Sequence, residues 1–143
     1  MTYALSWPLQ KAIYETLTAS QSITDILVGK GKIFDEPPHA NSMGTAILPY
    51  IVLGDEKTTN WSDKDTYGAI HNFEIIIYSS NKGFKQAKLI AGIVCDALLK
   101  SSPPILIRGT IVDLHFVSGE AVREKNGDYR KITLKFQGII EDS

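Results

Sequence analysis

Two alternating segments near the C-terminal end constrain the fold of this chain most. Apolar side chains occupy alternating positions on both sides of Asn126-Gly127, and the residues between them are polar or charged. A period of two is typical of a strand with one buried face, and Asn-Gly favours the tight turn of a hairpin. We therefore predict a long antiparallel hairpin over residues 113–141. Val112 lies just before the hairpin and on the same side as its inner face. The other residues of the inner face are Leu114, Phe116, Ile132, Leu134, Phe136 and Ile140.

The register of this hairpin depends on which side chains have to pair. Counted strictly from the turn, Phe116 would face the polar Gln137. One extra residue in the first strand moves the pairing by one position and brings the apolar side chains onto a common face. We therefore predict a β-bulge at Ser118-Gly119. The pairs that it creates are Phe116 with Phe136 and Val112 with Ile140.

Two longer segments carry apolar residues at the spacing of an amphipathic helix. We predict the first over residues 9–19, with Ser6 as its N-cap, and the second over residues 82–100, with Asn81 as its N-cap. The inner side of the first helix is formed by Leu9, Ala12, Ile13, Thr16 and Leu17. The inner side of the second helix is formed by Phe84, Ala87, Ala91, Val94, Cys95 and Leu98.

A shorter helix is predicted around residues 23–27. Ser22 and Asp25 have the spacing of a capping box at its start, and Gly29 can end it. We expect this helix to serve only in packing.

The middle of the chain contains two predicted strands. Residues 50–53 form an apolar strand that stops at Gly54, and residues 69–79 alternate, with one face formed by His71, Phe73, Ile75 and Ile77. Residues 31–49 are predicted to be irregular apart from a short strand at 33–34, and residues 55–66 to be a projecting polar loop. The prediction is a single α+β domain over residues 1–143. It has an antiparallel sheet of about four main strands, two main helices packed on one face and a long charged C-terminal β-hairpin.

Charge and composition exclude several classes of protein. The chain has 15 Lys and Arg against 16 Asp and Glu, so its net charge of -1 attracts neither nucleic acid nor an anionic membrane. No apolar run approaches the roughly 20 residues of a membrane span. The single cysteine, Cys95, cannot form an internal disulfide, and the N-terminal residues lack the pattern of a secretory signal. We expect folding in a reducing cytosol and no membrane partner.

The reactive side chains form no recognisable catalytic or metal-binding pattern. His39, His71 and His115 lack the spacing of metal ligands. Cys95 lies on the apolar side of the second helix, where a buried and unreactive thiol is expected. The glycines and lysines at 29–32 lack the spacing of a phosphate-binding loop and are interpreted as a helix exit. The sequence thus predicts no enzyme, no metal and no cofactor.

Two groups of exposed side chains are candidates for contacts with other proteins. A tryptophan in a polar loop has no core to enter unless the loop folds back or meets a partner. The predicted partner-binding loop therefore contains Lys57, Trp61, Asp63 and Lys64. Mixed charges near the hairpin tip suit either protection of a strand edge or a repeated contact between subunits. The predicted subunit-interface residues are Arg123, Lys125, Tyr129 and Arg130.

Four short segments follow one another in a characteristic order. They are YALSWPLQ at 3–10, YIVLG at 50–54, GFKQAK at 83–88, and GDYRK at 127–131 with Phe136 beyond it. In this order they resemble the tail terminator (tail completion) proteins of long-tailed bacteriophages and of the phage-derived gene transfer agents. The likeness spans nearly the whole chain and depends on order and spacing rather than on any single motif.

The resemblance implies a structural protein without an active site. Such a protein forms a hexameric ring on the head-proximal end of the tail tube, stops growth of the tube and offers a docking surface to the head. The implied partners are further copies of itself, the tail tube protein and a head-tail connector or stopper protein, with DNA only in transit through the ring. The implied location is the virion or a phage-like particle such as a gene transfer agent.

Two other interpretations stay open at this point. A different connector component, such as a stopper or adaptor ring, would also be small, neutral and without catalytic residues. Its position in the particle would distinguish it. A small ligand-binding domain or enzyme would require a deep pocket lined by His71 with convergent acidic groups.

Overall fold

A computed structural model describes residues 3–27, 32–35, 48–80, 83–100, 103–124 and 129–142. The elements follow one another as helices α1 (Ser6–Ala19) and α2 (Gln21–Leu27), strands β1 (Ile33–Phe34), β2 (Tyr50–Asn60) and β3 (Gly68–Ser80), helix α3 (Lys85–Leu99), and strands β4 (Thr110–Glu124) and β5 (Tyr129–Glu141). The predicted α+β class is confirmed, and so is the short strand at 33–34.

The strands form one five-stranded sheet in the order β1-β2-β3-β5-β4. β1 pairs with β2 in parallel, and the other neighbours are antiparallel. The sheet therefore has two unlike edges, the two-residue β1 on one side and the 15-residue β4 on the other.

A single hydrophobic core joins the helices to one face of the sheet. Along β3 every second residue is buried, because a strand with helices on one side hides alternate side chains. The predicted inner face of β3 is confirmed, since His71, Phe73, Ile75 and Ile77 are all buried. The helices contribute a stripe each, formed by Leu9, Ala12, Ile13 and Leu17 of α1 and by Ala87, Ile90, Val94 and Leu98 of α3. Thr16, Phe84, Ala91 and Cys95, which were expected on these stripes, are only partly buried.

The helix starts differ from the predicted ones because the capping side chains have other partners. Ser6 lies inside α1, and its hydroxyl donates to Glu56 Oε1 at 2.6 Å instead of capping the helix. α2 is capped two residues earlier than predicted, since the Ser20 hydroxyl accepts from the Ile23 N–H at 3.3 Å, and the capping box at Ser22 is wrong. The predicted caps Asn81 and Gly29 lie outside the described residues.

β2 is nearly three times as long as the predicted strand over residues 50–53, because it contains 11 residues. It does not stop at Gly54 but continues to Asn60, so the prediction of a loop over 55–66 is wrong for its first half. The register with β3 shifts between Leu53 and Glu56, which leaves one extra residue on β2. Because the bulge accommodates the extra residue, β2 and β3 stay paired on both sides of Gly54.

The hairpin has two bulges rather than one. Phe116 pairs with Phe136 as predicted, but the extra residue is Val117, and Gly119 is paired normally with Leu134. A second register shift between Ile111 and Asp113 makes Ile111 the partner of Ile140, so the predicted pairing of Val112 is wrong. Val112 leaves the ladder and is 52% exposed. The turn at Asn126-Gly127 lies outside the described residues.

Candidate functional site

The residues predicted as a partner-binding loop fall on two elements. Lys57 lies within β2 and is exposed, while Trp61, Asp63 and Lys64 belong to the short connection between β2 and β3. The connection is a fixed turn, because the Asp63 carboxylate accepts from the N–H groups of Asp65 at 2.9 Å and of Thr66 at 2.8 Å. This turn displays Lys64 to solvent.

Trp61 folds back onto the sheet. Its backbone N–H donates to the carbonyl oxygen of Gly68 at 3.2 Å, and its ring lies so close to Gly68 that a Cβ there would be 2.8 Å from Cε3. The side chain is therefore half-buried because the loop folds back, which is one of the two possibilities that the sequence left open. Only part of the ring is available to a partner.

The hairpin residues form a cationic cluster around one aromatic ring. Arg123 and Arg130 pair across β4 and β5, and their guanidinium carbons lie 5.5 and 5.3 Å from the centre of the Phe84 ring. Lys88 Nζ lies 5.6 Å from the same ring. Cations at this distance are attracted to the face of an aromatic ring, which gives the arginines a defined position. Lys125 lies outside the described residues.

Tyr129, the fourth predicted interface residue, belongs to a separate row of aromatic rings. Its ring centre is 5.6 Å from that of Tyr78, which is stacked on Tyr50 at 4.9 Å. Burial, with smaller contributions from Tyr78 and Tyr129, raises the pKa of Tyr50 to about 12. The Tyr50 hydroxyl therefore stays protonated at neutral pH, and the three rings pack as an apolar strip with polar tips.

The two predicted contact regions lie at opposite ends of the sheet. Trp61 adjoins Gly68 at the start of β3, whereas Tyr129 pairs with Ser80 at its end. A strand of 13 residues is about 40 Å long. A partner bound at one end therefore leaves the other end uncovered.

A buried polar cluster connects α1 to β2 and β3. His71 is fully buried, and its Nδ1 lies 3.1 Å from Glu56 Oε2 and 3.2 Å from Thr58 Oγ1. Glu56 also accepts from the hydroxyls of Ser6 and Tyr3. Burial alone would raise the pKa of Glu56, but the hydrogen bonds from His71, Ser6 and Tyr3 outweigh it and hold the pKa below its usual value. With no exposed surface, His71 cannot meet a ligand in an open pocket, so this cluster is structural.

We expect Glu56→Gln to lower the free energy of unfolding by about 1–3 kcal/mol at neutral pH, because it weakens three hydrogen bonds to a charged group. The folded pKa of Glu56 is lowered, so its contribution is fully present above the ordinary value of 4.5 and is lost as the pH falls through the folded value. Urea unfolding of both proteins should therefore show a difference that shrinks as the pH drops below about 4.5. Glu15→Gln, at an exposed site on α1, is the control. A difference independent of pH would contradict this assignment.

The sequence predictions missed a set of exposed apolar side chains. Ile105 is 91% exposed, Ile107 67% and Trp7 60%. Trp7 and Tyr14 are seven residues apart and so share one side of α1, away from its buried stripe. Two sequence signals could have identified these exposed side chains. One is the seven-residue spacing of Trp7 and Tyr14, and the other is the alternation of Ile105 and Ile107 after two prolines.

The described residues do not favour a metal site, a reactive thiol or a membrane span. Within the described ranges, no three His, Cys, Asp or Glu side chains lie where they could hold a metal ion. Burial, with a smaller contribution from Asp96, raises the pKa of the Cys95 thiol, so it is protonated at neutral pH. None of the described helices has the length and apolar character needed to cross a membrane.

Comparison with known proteins agrees with the resemblance noted in the sequence. Residues 11–141 match the family described as tail completion protein gp17. Among solved structures, the chain is similar to a chain from the virion of a native gene transfer agent particle, with 34% sequence identity and a TM-score of 0.83. That similarity covers 98% of this chain and 99% of the virion chain. No curated protein sequence matches.

Proposed function

We propose a specific role for this chain, which belongs to the tail completion protein gp17 family. It is a structural protein of a phage-type virion tail. Within the tail, it forms a hexameric ring that caps the head-proximal end of the tail tube, stops growth of the tube and joins the tail to the head. It acts by binding other proteins and catalyses no reaction.

The observation that carries this proposal is the similarity, over 98% of the chain, to a chain of an assembled gene transfer agent virion. The architecture supports it. A rigid sheet with separate contact regions about 40 Å apart can bind one partner at each end. A net charge of -1 also suits a ring through which DNA passes without being held.

Each contact region has a proposed partner. The residues Lys57, Trp61, Asp63 and Lys64 contact the tail tube or another particle protein, because the last three lie on a rigid turn at the end of the sheet and Lys57 is exposed on the adjoining strand β2. The hairpin residues Arg123, Lys125, Tyr129 and Arg130 contact the neighbouring subunit. In this ring a head-to-tail contact repeats around the axis, so unlike surfaces of adjacent copies meet.

Removal of the protein tests the function. Particles made in cells that lack this chain should have tails of uncontrolled length, or tails without heads, in electron micrographs. Expression of the intact chain from a plasmid should restore uniform, joined tails. Tails of normal length that carry heads in the absence of this protein would refute the proposal.

We expect Lys64→Glu to impair the joining of tail to head or tube without changing the stability of the folded chain. Lys64 is exposed on the turn, so reversal of its charge alters a contact surface and no internal packing. Urea unfolding should give the same free energy as the wild type within about 0.5 kcal/mol, and complementation should yield fewer joined particles. Lys85→Glu, at an exposed site on α3, is the matched control. Equal particle yields from both variants would remove Lys64 from the contact.

A further inference from the structure

The surface between α1 and the β1 edge of the sheet is an open apolar groove of about 490 Å³. We call it the α1 groove and define it by the apolar residues that line it, Trp7, Tyr14, Ile33, Phe34 and Leu53. Trp7 is 60% exposed and Tyr14 is 41% exposed, so the rings are not used in the core of the same chain. Soluble proteins rarely leave such a concave aromatic surface uncovered unless it meets a partner.

The opposite edge of the sheet carries apolar side chains that project outward. We call this surface the apolar edge and define it by Ile105, Ile107, Val112, Phe116 and Val117, which are all between 43 and 91% exposed. Val112 and Val117 are the extra residues at the two bulges of β4, and Ile105 and Ile107 lie on the segment that leads into β4. A long edge strand with exposed apolar residues is a site of association unless another chain covers it.

The two surfaces cannot meet within one chain. The α1 groove includes β1, and the apolar edge includes β4, and these strands are the two outermost of five. Four strand spacings separate them by about 20 Å. They can meet when a second copy places its β4 side against the β1 side of the first.

Four of the charged side chains near the two surfaces are paired within the chain. At the rim of the groove, Lys11 pairs with Glu15 at 2.5 Å. Beside the apolar edge, Arg108 makes two hydrogen bonds to the Asp142 carboxylate, at 2.9 and 2.7 Å. Burial of an unpaired charge is strongly unfavourable. These four charges already have partners within the chain, so a contact that covers them leaves none of the four unpaired.

We propose that the α1 groove of one copy receives the apolar edge of the next copy. This inference rests on the proposed ring, and it names the surfaces by which the ring closes. Two unlike and mutually complementary surfaces on opposite sides of one chain give a head-to-tail contact, which closes into a ring when the rotation between copies is suitable. The hairpin contact proposed above lies on the same β4 side of the chain and extends this interface.

Cross-linking in assembled particles tests the proposal. In a Cys95→Ala background, Trp7→Cys or Tyr14→Cys is combined in one chain with Ile105→Cys or Ile107→Cys, which gives four variants at exposed positions. Particles are treated with a short bismaleimide, and the denatured protein is separated by mass. We expect at least one pair to give a ladder of covalent oligomers, and the corresponding single-cysteine variants to stay monomeric. Leu89→Cys with Ile107→Cys is the matched control, because Leu89 is 52% exposed on α3 and outside the groove.

Each other outcome rejects the inference in a distinguishable way. Dimers from a single-cysteine variant would mean that like surfaces meet, so the contact would not be head-to-tail. If particles show a ring of this protein by electron microscopy but none of the four pairs cross-links, the ring closes through other surfaces and only this inference fails. If the particles contain no ring of this protein, the proposed function fails as well.

Discussion

Phe136→Ala is expected to lower the free energy of unfolding by about 3–5 kcal/mol. Phe136 is fully buried in the middle of β5, with its ring centre 5.6 Å from that of Phe73 and 5.8 Å from that of Phe116. Its removal leaves a cavity between β3 and β4, and the flanking strands are too firmly paired to close it. A domain of this size has a total stability of about 5–15 kcal/mol, so the variant should be close to unfolding at growth temperature.

Urea unfolding followed by circular dichroism gives this difference directly. Phe116→Ala is the control, because Phe116 takes part in the same aromatic group but is 43% exposed. We expect it to cost clearly less than Phe136→Ala, since less apolar surface returns to water. Equal losses from both replacements would mean that Phe116 is as deeply buried in the isolated chain as Phe136, contrary to the structure.

Gly68→Ala is expected to destabilise the fold by about 1–3 kcal/mol, the usual cost of overpacking. A Cβ at this position would lie 2.5 Å from the carbonyl oxygen of Ile140 and 2.8 Å from Cε3 of Trp61. The first of these atoms is backbone in a paired strand, so it cannot move aside as a flexible side chain would. The methyl group should therefore displace the turn that carries Trp61, Asp63 and Lys64, and with it the proposed partner contact.

Gly92→Ala supplies a control with the opposite sign. Gly92 is exposed within α3, and a Cβ there would meet no atom within 4 Å. Alanine favours a helix interior over glycine by about 0.8–1.0 kcal/mol, so this variant should be more stable than the wild type. If Gly68→Ala were also stabilising, the close packing of Trp61 and Ile140 on Gly68 would be incorrect.

The hairpin can be predicted from the sequence because pairing of apolar side chains determines its register. The pairing of Phe116 with Phe136 requires one extra residue between Phe116 and the turn, and this is found. The place of the extra residue cannot be predicted in the same way, because Val117, Ser118 and Gly119 all satisfy that requirement. The second bulge leaves even less signal, since Ile111 and Val112 are equally suitable partners for an isoleucine.

The length of β2 and the helix caps could not be predicted because long-range contacts decide them. Residues 55–60 are polar and appear loop-like in sequence, but Glu56 and Thr58 point toward the buried His71 and make this polar stretch part of the sheet. Ser6 is unavailable as a cap because it bonds to Glu56, 50 residues away. Local preference gives way in each case to a partner that is distant in the chain.

Some features of the candidate contact surfaces can be recognised from the sequence, whereas others depend on tertiary structure. The cluster of charges at the hairpin tip can be recognised from composition, but its arrangement around Phe84 depends on where α3 begins. The α1 groove and the apolar edge are assembled from residues of several elements each, so their shapes appear only in the folded chain. Trp61 demonstrates the converse, because a residue that appears isolated in the sequence has a packing partner seven residues later.

The position of this protein in the assembled particle tests the central claim most directly. A single cysteine at Leu89, with Cys95 replaced by alanine, can be labelled with maleimide-gold at a site outside the α1 groove and the apolar edge. Cryo-electron microscopy of labelled particles should then show gold in one layer at the head-proximal end of the tail tube and nowhere along the tube. Gold on the head side of another ring, gold distributed along the tube, or particles without gold would contradict the assignment as a tail terminator.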